Sequence, residues 1–298
     1  MENLAYRDLL AQHPADYPLF HQPWWLDAAC GGPDRWQGLL SSRSYQGARA
    51  VMPVPLLPKW RVIPTVRRPL LTPYLGPWGA KLLSLPDRSQ FQFARKLWPE
   101  LIAQLPKVPY FHQTFRPELV HALPFHTAGY RLQLRYSYRL QPGRLNFNRN
   151  HRRALQRAEE LEVWSVDSSD ILYQLLSASF ARQEQPLPFS ASLMKSLYQA
   201  AATHGHSQIW VTGPDRETPQ AAIWVLSDAF CNYVLSNGVN TAGRENGAYP
   251  RLIAHLITEP PQPQLPIDLC GTMLPAVAEV NVGMGAVAKL VIELKKGG

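Results

Sequence analysis

The sequence has few cysteines, no long apolar run and a low density of charge, and each of these absences excludes a class of protein. Its 298 residues include three cysteines, Cys30, Cys231 and Cys270, which are too few and too far apart for a disulfide framework. No run of about 18 consecutive apolar residues is present, so no membrane-spanning helix is predicted. Hydrophobic residues make up 46% of the chain and charged residues 17%, a balance typical of a folded protein. Because Arg7 and Asp8 stand where a secretory signal would be apolar, a cytoplasmic protein is expected.

Positive charge is concentrated in the first half of the chain. Residues 1–150 contain 19 Lys and Arg against 8 Asp and Glu, whereas residues 151–298 contain 11 against 14. An anionic partner such as a nucleotide, a phosphorylated substrate, RNA or acidic lipid would explain this asymmetry. A basic surface also serves solubility, so the charge alone selects no partner.

Apolar periodicity predicts helices and strands in a similar order in the two halves. In the first half the predicted elements are a helix at 23–30, strands near 36–41, 48–55 and 61–71, a helix at 87–105, a strand at 108–114 and a helix at 117–126. In the second half they are a strand at 130–140, helices beginning near residues 147, 169 and 190, strands at 208–212, 220–226 and 230–236, a helix that stops before Pro260, a short strand at 266–269, a helix near 275–282 and a last strand at 286–294. Two similar lists predict an α/β (α+β) fold of two tandem units, 1–140 and 141–298, each a mixed, mostly antiparallel sheet flanked by helices.

A glycine-containing segment, Arg244-Glu245-Asn246-Gly247-Ala248, joins a predicted strand to a predicted helix. The first backbone N–H groups of a helix have no partner within it, so they can bind a phosphate group. Gly247 would let a ligand approach that backbone, and Arg244 would add a charged donor. The alternative is a glycine that only begins a helix beside an exposed arginine.

Four arginines share one face of the helix predicted after residue 147. Arg149, Arg152, Arg153 and Arg157 follow one another at helical spacing. They could line a groove for a phosphorylated acceptor or for tRNA. They could equally form a solvated face that pairs with the acidic residues at 159–162.

Two kinds of catalytic site are not predicted. The histidines have no metal-ligand spacing with cysteine or acidic partners, so no metal site is expected. Neither a Gly-x-Ser-x-Gly elbow nor a recognisable Cys–His pair is present, so no covalent nucleophile is indicated.

Five segments, in this order, resemble the FemAB-like branch of the GNAT acyltransferase superfamily. They extend over nearly the whole chain and are Phe20–Leu26, Met52–Pro55, Asn150–Ala158, Gly243–Ala248 and Asp268–Met273. The resemblance implies that both predicted units are GNAT-like and that the C-terminal unit holds the acyl-donor site. It implies a transferase that moves an acetyl or aminoacyl group onto an amine acceptor.

The resemblance also implies roles for individual residues. The donor's pyrophosphate would be bound by Arg244, Asn246, Gly247 and Ala248. Asp268, at the end of a strand where ligands of open α/β sheets gather, would position or deprotonate the acceptor, with Tyr233 as a second catalytic candidate. The substrate-binding candidates are Asn237, Thr272, Arg149, Arg152 and Arg153.

The donor and acceptor are left open among related alternatives. No tightly bound cofactor is expected, and acyl-coenzyme A is the favoured co-substrate because no long helical arm is evident; an aminoacyl-tRNA is the alternative. The acceptor would be a small-molecule amine or a cell-wall precursor.

The chain departs from the family pattern at two places. Cys270 stands where the family usually has Glu, and residues 278–285 replace a segment that is usually rich in Arg, Phe and Tyr. These changes leave a second hypothesis, a non-catalytic module that binds an anionic ligand or RNA on a degenerate GNAT scaffold.

Overall fold

The computed structural model describes residues 3–58 and 62–297, and the chain forms two compact units. The first unit consists of the residues up to Arg135 together with those from Leu290 onward, and the second is Tyr136–Lys289. The sequence prediction divided the chain after residue 140 and placed all later residues in the second unit. The last strand instead pairs antiparallel with the strand at Tyr110–Thr114 and so belongs to the first unit.

The chain forms ten α-helices and twelve strands within the described residues. In chain order the helices are α1 (Leu4–Gln12), α2 (Pro23–Cys30), α3 (Asp87–Gln104), α4 (Leu123–Thr127), α5 (Arg149–Arg157), α6 (Asp170–Ala181), α7 (Ala191–Thr203), α8 (Thr241–Asn246), α9 (Ala248–Thr258) and α10 (Pro275–Gly283). The strands are β1 (Trp36–Tyr45), β2 (Ala48–Pro55), β3 (Thr65–Val66), β4 (Trp78–Gly79), β5 (Tyr110–Thr114), β6 (Arg131–Leu140), β7 (Glu162–Val166), β8 (Ser207–Gly213), β9 (Ala221–Ser227), β10 (Asn232–Val239), β11 (Ile267–Asp268) and β12 (Val287–Lys296).

In the first unit, β1, β2 and β4 form an antiparallel sheet against which α3 packs. β5 lies between β3, to which it is parallel, and β12, to which it is antiparallel. The strand predicted at 61–71 is reduced to Thr65–Val66, and its residue 61 lies outside the described residues. Pro64 and Pro69 flank this short strand and cannot donate backbone hydrogen bonds to a ladder, which limits its length.

The second unit is a sheet in the order β6-β11-β10-β9-β8-β7, antiparallel except for the neighbours β10 and β11. β9 is buried along its whole length because helices cover both of its faces. Ile223 and Val225 pack in one cluster with Leu252 and Ile253 of α9. On the other face, Trp224 contacts Tyr198 of α7. Successive side chains of the strand point to opposite faces, and each helix turns its apolar stripe, with a repeat of 3.6 residues, towards one of these faces.

The cap predicted for α5 is present. Asn148 accepts a hydrogen bond from the His151 N–H at 2.9 Å, which satisfies one of the free donors of the first turn. Asn148 lies immediately before the helix and forms the cap, whereas Asn146, which could also have served by its sequence position, does not.

No helix within 3–58 or 62–297 combines the length and the apolar character that crossing a bilayer requires.

Candidate functional site

The parallel strands β10 and β11 separate at their carboxyl ends. They pair at only two positions, Asn232 with Ile267 and Tyr233 with Asp268, whereas β10 continues to Val239. After β11 the chain stays with β6 instead, because the Leu269 N–H donates to the Tyr138 carbonyl oxygen at 2.9 Å. Beyond Tyr233 the edge of β10 has no pairing with β11, and we call the place where the two strands separate the β10–β11 opening. Carboxyl ends of neighbouring parallel strands are where ligands of open α/β sheets bind.

A β-bulge lies in β10 at this opening. The register against β9 shifts between Val234 and Ser236, so Leu235 is the extra residue of the bulged strand. A bulge leaves a residue outside the ladder and re-aims the neighbouring backbone groups. Backbone donors at this bend are therefore suited to bind a polar ligand atom, such as a carbonyl oxygen, that enters between the strands.

The turn that follows β11 is fixed by Asp268. Its carboxylate accepts hydrogen bonds from the Ser137 hydroxyl at 2.5 Å, the Arg139 guanidinium at 2.9 Å and the Cys270 N–H at 2.8 Å. Asp268 has no exposed surface, and Arg139 is nearly buried. The direct role in proton transfer predicted for Asp268 has no support in this environment, since the carboxylate is engaged by protein donors. It holds β6 and the start of the turn in place.

Cys270 and Gly271 form that turn with left-handed backbone angles, φ of 56° and 77°. A Cβ at Gly271 would lie 2.7 Å from the Tyr136 carbonyl oxygen, so glycine is required there both for the angle and for the close approach to β6. Thr272, a predicted substrate contact, is half-buried, and its hydroxyl accepts a hydrogen bond from the Leu274 N–H at 3.0 Å.

Tyr233 is also placed in a structural position. It is fully buried, and its hydroxyl donates to Asp228 at 3.0 Å. The other oxygen of Asp228 accepts from the backbone N–H groups of Phe230 and Cys231, so the tyrosine braces the turn between β9 and β10. This environment gives no support to the predicted catalytic role.

Two polar side chains remain at the β10–β11 opening. Asn237, which the sequence predicted as a substrate contact, is exposed on β10 beyond the last pair with β11. Tyr249, in the first turn of α9, is half-buried beside Cys270. Burial raises the pKa of the Tyr249 hydroxyl well above its ordinary value, and the nearby Cys270 thiol raises it further. The hydroxyl is therefore protonated at neutral pH and can donate a hydrogen bond.

Tyr249 was not among the residues predicted from the sequence. A single tyrosine in the first turn of a helix carries no motif, and only the fold brings it next to the residue after β11. The adjacent Gly247-Ala248 pair was the sole signal that drew attention to this turn.

The segment Arg244–Ala248 differs from the predicted phosphate loop. Residues 241–246 form α8, which is capped by Asn240 through the Gly243 N–H at 2.8 Å. Gly247 has φ of 80°, and its N–H donates to the Gly243 carbonyl oxygen. A Cβ at Gly247 would overlap the backbone of Ala154 in α5, so the glycine permits a close approach of two helices rather than of a ligand.

The remaining donor-site candidates are divided between buried and exposed positions. Ala248 is buried, and the Asn246 amide donates to the Gln220 side chain at 3.2 Å. Arg244 is exposed. Of the four predicted residues, Arg244 is thus the one whose side chain is open to an anionic ligand.

All four α5 arginines are exposed, and within the described residues none has an acidic partner. Within the described residues, no salt bridge joins Arg149, Arg152 or Arg153 to the acidic residues at 159–162. Arg157 instead donates to the Glu245 carbonyl oxygen at 3.0 Å and ties α5 to α8. The pairing that a purely solvated face would show is therefore absent from this part of the chain.

Comparisons with known proteins rest on structure alone. No family model matches the sequence, and no curated protein matches it. FemX matches with a TM-score of 0.66 and 10% identity, over 98% of this chain and 96% of that one. L-PGS from Bacillus licheniformis matches with a TM-score of 0.57 and 9% identity, over 98% and 91% of the two chains.

A further match is the C-terminal domain of a putative lysylphosphatidylglycerol synthetase from Agrobacterium fabrum. Its TM-score is 0.53 at 9% identity, over 92% of this chain and 88% of that one. Identities this low establish a shared fold. The chain therefore has the fold of FemX, a protein of the kind that the sequence resemblance led us to expect.

Proposed function

We propose that the protein is an acyltransferase that moves an acetyl or aminoacyl group onto an amine acceptor at the β10–β11 opening. The observation that carries the proposal is the separation of two parallel strands beside a β-bulge, on a fold shared with FemX. Two further proteins with this fold are a domain of a putative lysylphosphatidylglycerol synthetase and L-PGS. The acceptor is a small-molecule amine or a cell-wall precursor.

The reaction needs the acyl carbonyl held near the bulge. Backbone N–H groups there would donate to the carbonyl oxygen, and these bonds strengthen as negative charge develops on it. The amine nitrogen attacks the carbonyl carbon, a C–N bond forms, and the bond to the donor's sulfur or oxygen breaks. The amine loses its proton to water. Holding the two reactants in this geometry contributes about 7–11 kcal/mol in the best-oriented cases.

Tyr249 donates a hydrogen bond to the leaving atom. Its raised pKa keeps the hydroxyl protonated, so it stabilises the departing thiolate or ribose oxygen as negative charge develops there. The water that received the proton of the amine returns it to the leaving atom. Asn237, exposed on β10, is placed to contact the acceptor.

The donor is bound through its anionic part. Arg244 and the exposed arginines of α5 supply charge for a coenzyme A pyrophosphate or for a tRNA backbone. The longest helix of the second unit, α7, has 13 residues, so the long arm of aminoacyl-tRNA users has no counterpart in this described unit. This favours an acyl-coenzyme A thioester as co-substrate.

A product screen on the full chain tests the proposal. The protein is incubated with acetyl-coenzyme A or with aminoacyl-tRNA, together with a panel of primary amines and a cell-wall precursor peptide, and new amides are detected by mass spectrometry. We expect an amide product with release of coenzyme A. Binding of both donors without any amide would contradict the proposal.

The second candidate, a non-catalytic RNA-binding module, is favoured by one observation, the exposed arginines of α5. It predicts RNA affinity that falls steeply with salt and that is lost in Arg152→Gln with Arg153→Gln, without amide formation. Acyl transfer by the same preparation would exclude it.

A further inference from the structure

Helix α10 exposes several apolar residues to solvent and buries an asparagine. Asn281 is buried at 4% exposure, whereas Leu274, immediately before the helix, is 64% exposed and Val282 is 56% exposed. Val277 and Val280 are also exposed, at 42% and 37%. A surface helix normally turns its apolar stripe inward, and apolar residues that cluster in solvent mark a surface that something covers.

The amino-terminal part of α5 packs against the carboxyl end of α10. The Asn148 N–H donates to the Gly283 carbonyl oxygen at 2.7 Å. A Cβ at Gly283 would lie 2.6 Å from the ring of His151, so the two segments are in close contact. The exposed arginines of α5 and the exposed apolar residues of α10 therefore belong to adjoining elements of the second unit.

The loop before α5 repeats the same combination. Arg144 and Leu145 are both exposed, and the loop contacts the residues after α10, since a Cβ at Gly285 would lie 2.7 Å from the Asn146 carbonyl oxygen. The basic–apolar surface, as we call it, consists of Arg144, Leu145, Arg149, Arg152, Arg153, Met273, Leu274, Val277, Val280 and Val282.

We propose that the basic–apolar surface binds a bilayer that contains anionic phospholipid. Arginines meet lipid phosphates while valine and leucine side chains enter the boundary of the acyl chains, so one occupant satisfies both kinds of residue. RNA would pair with the arginines but leave the apolar residues in water. An apolar protein partner would bury the arginines without counter-charge. This inference goes beyond acyl transfer and needs no substrate.

One residue on this surface opposes the proposed binding. Glu279, the only charged residue of α10, is exposed and would be repelled by anionic lipid. Glu279→Gln should therefore strengthen binding to anionic vesicles, by about fivefold for one charge near the surface.

Vesicle co-sedimentation of the full chain tests the proposal. The vesicles are phosphatidylcholine with or without phosphatidylglycerol, and neither donor nor acceptor is added. We expect pelleting with the anionic vesicles only, weakened at high salt. Arg152→Gln with Arg153→Gln, and separately Val277→Ser with Val282→Ser, should each weaken it by about tenfold or more.

Matched substitutions on the first unit serve as controls. Arg88→Gln with Arg95→Gln removes two exposed arginines, and Val120→Ser with Leu123→Ser removes two exposed apolar side chains. Both should pellet as the wild type does. Thermal unfolding shows whether every variant keeps its fold, and only folded variants are compared.

Three results would overturn the proposal. The first is equal pelleting with neutral and anionic vesicles. The second is RNA binding that depends on the arginines when no vesicle is bound. The third is a dimer, seen by sedimentation without lipid, that the valine substitutions dissociate, because a second copy would then be the cover. Acyl transfer is measured separately by the product screen, so failure of the bilayer proposal and failure of the proposed function give different results.

Discussion

Tyr249 is the side chain on which the proposed chemistry depends most. Tyr249→Phe removes the proposed hydrogen-bond donor and keeps the ring, so kcat should fall by about 10²–10³-fold with little change in substrate binding. Because burial and Cys270 raise the pKa of this hydroxyl, it stays protonated across neutral pH. The wild-type rate should therefore show no pH dependence from its ionisation in that range. Steady-state kinetics over a range of pH measures both effects.

Tyr173→Phe is the matched control for that substitution. Tyr173 is half-buried on α6 of the same unit, and its loss should leave kcat unchanged. If the two variants had equal kcat, Tyr249 would have no part in the reaction.

Gly247 serves the packing of two helices. Gly247→Ala places a methyl group in a left-handed position and against the backbone of Ala154, so it should lower the free energy of unfolding by about 2–5 kcal/mol. Gly143→Ala is the control, since Gly143 also has a positive φ but no atom within 4 Å of the added Cβ. It should cost only about 1–2 kcal/mol. Denaturant unfolding of both variants measures the difference, and equal losses would mean that the contact with α5 is unimportant.

At the scale of elements, strand β12 is held to β5 by an acidic side chain. Glu293 is buried at 1% exposure, accepts a hydrogen bond from His112 Nε2–H at 2.7 Å and forms an ion pair with Lys295 at 2.8 Å. Burial acts to raise the pKa of Glu293, but the hydrogen bonds from Lys295 and His112 outweigh it, and the pKa is lowered. Burial likewise lowers the pKa of His112, despite its bond to Glu293.

Both shifts make the fold less stable in acid. A carboxyl group with a lowered folded pKa contributes stability above its unfolded pKa, and this stability is lost as pH falls through the folded value. A histidine with a lowered folded pKa takes up its proton more readily when unfolded, so it too favours unfolding as pH falls below its ordinary value.

Glu293→Gln should therefore reduce the pH dependence of the free energy of unfolding. At neutral pH the variant should be less stable by about 1–3 kcal/mol, and this difference in stability should narrow as the pH falls below the ordinary pKa of a glutamate. Urea unfolding at several pH values measures this, with exposed Glu217→Gln as the control. A gap that stays constant with pH would show that the charge of Glu293 is irrelevant.

Local patterns predicted the elements better than their partners. Capping residues and apolar spacing placed α5, α6 and α7 well, because these signals act within a few residues. The short helix α8 was expected to be loop, and the strand β7 was not predicted. The return of β12 to the first unit has no local signal, since a strand's pattern does not encode which strand it pairs with.

The sequence placed the candidate site at the Asp268 strand end and at the segment ending in Ala248, and this placement stays a prediction. Hydrogen-bond partners decide the roles, however, and these come from distant parts of the chain. Ser137 and Arg139 engage Asp268, and Ala154 packs on Gly247, none of which is adjacent in sequence.

At the scale of the whole molecule, the fold is shared with FemX at only 10% identity. Burial of apolar residues at the right spacing suffices to specify a fold, and many sequences meet that requirement. Positive charge is not confined to one unit. The excess was counted over residues 1–150, but the second unit begins at Tyr136. The exposed arginines of α5 therefore belong to the second unit.

Hydrogen–deuterium exchange with an acyl donor tests the position of the site most directly. The exchange of the full chain is measured by peptide with and without acetyl-coenzyme A, and again with aminoacyl-tRNA. The productive donor should slow exchange in the bulged part of β10, at 235–239, and in the turn at 269–272. Unchanged exchange in both segments, with protection confined to the first unit, would contradict it.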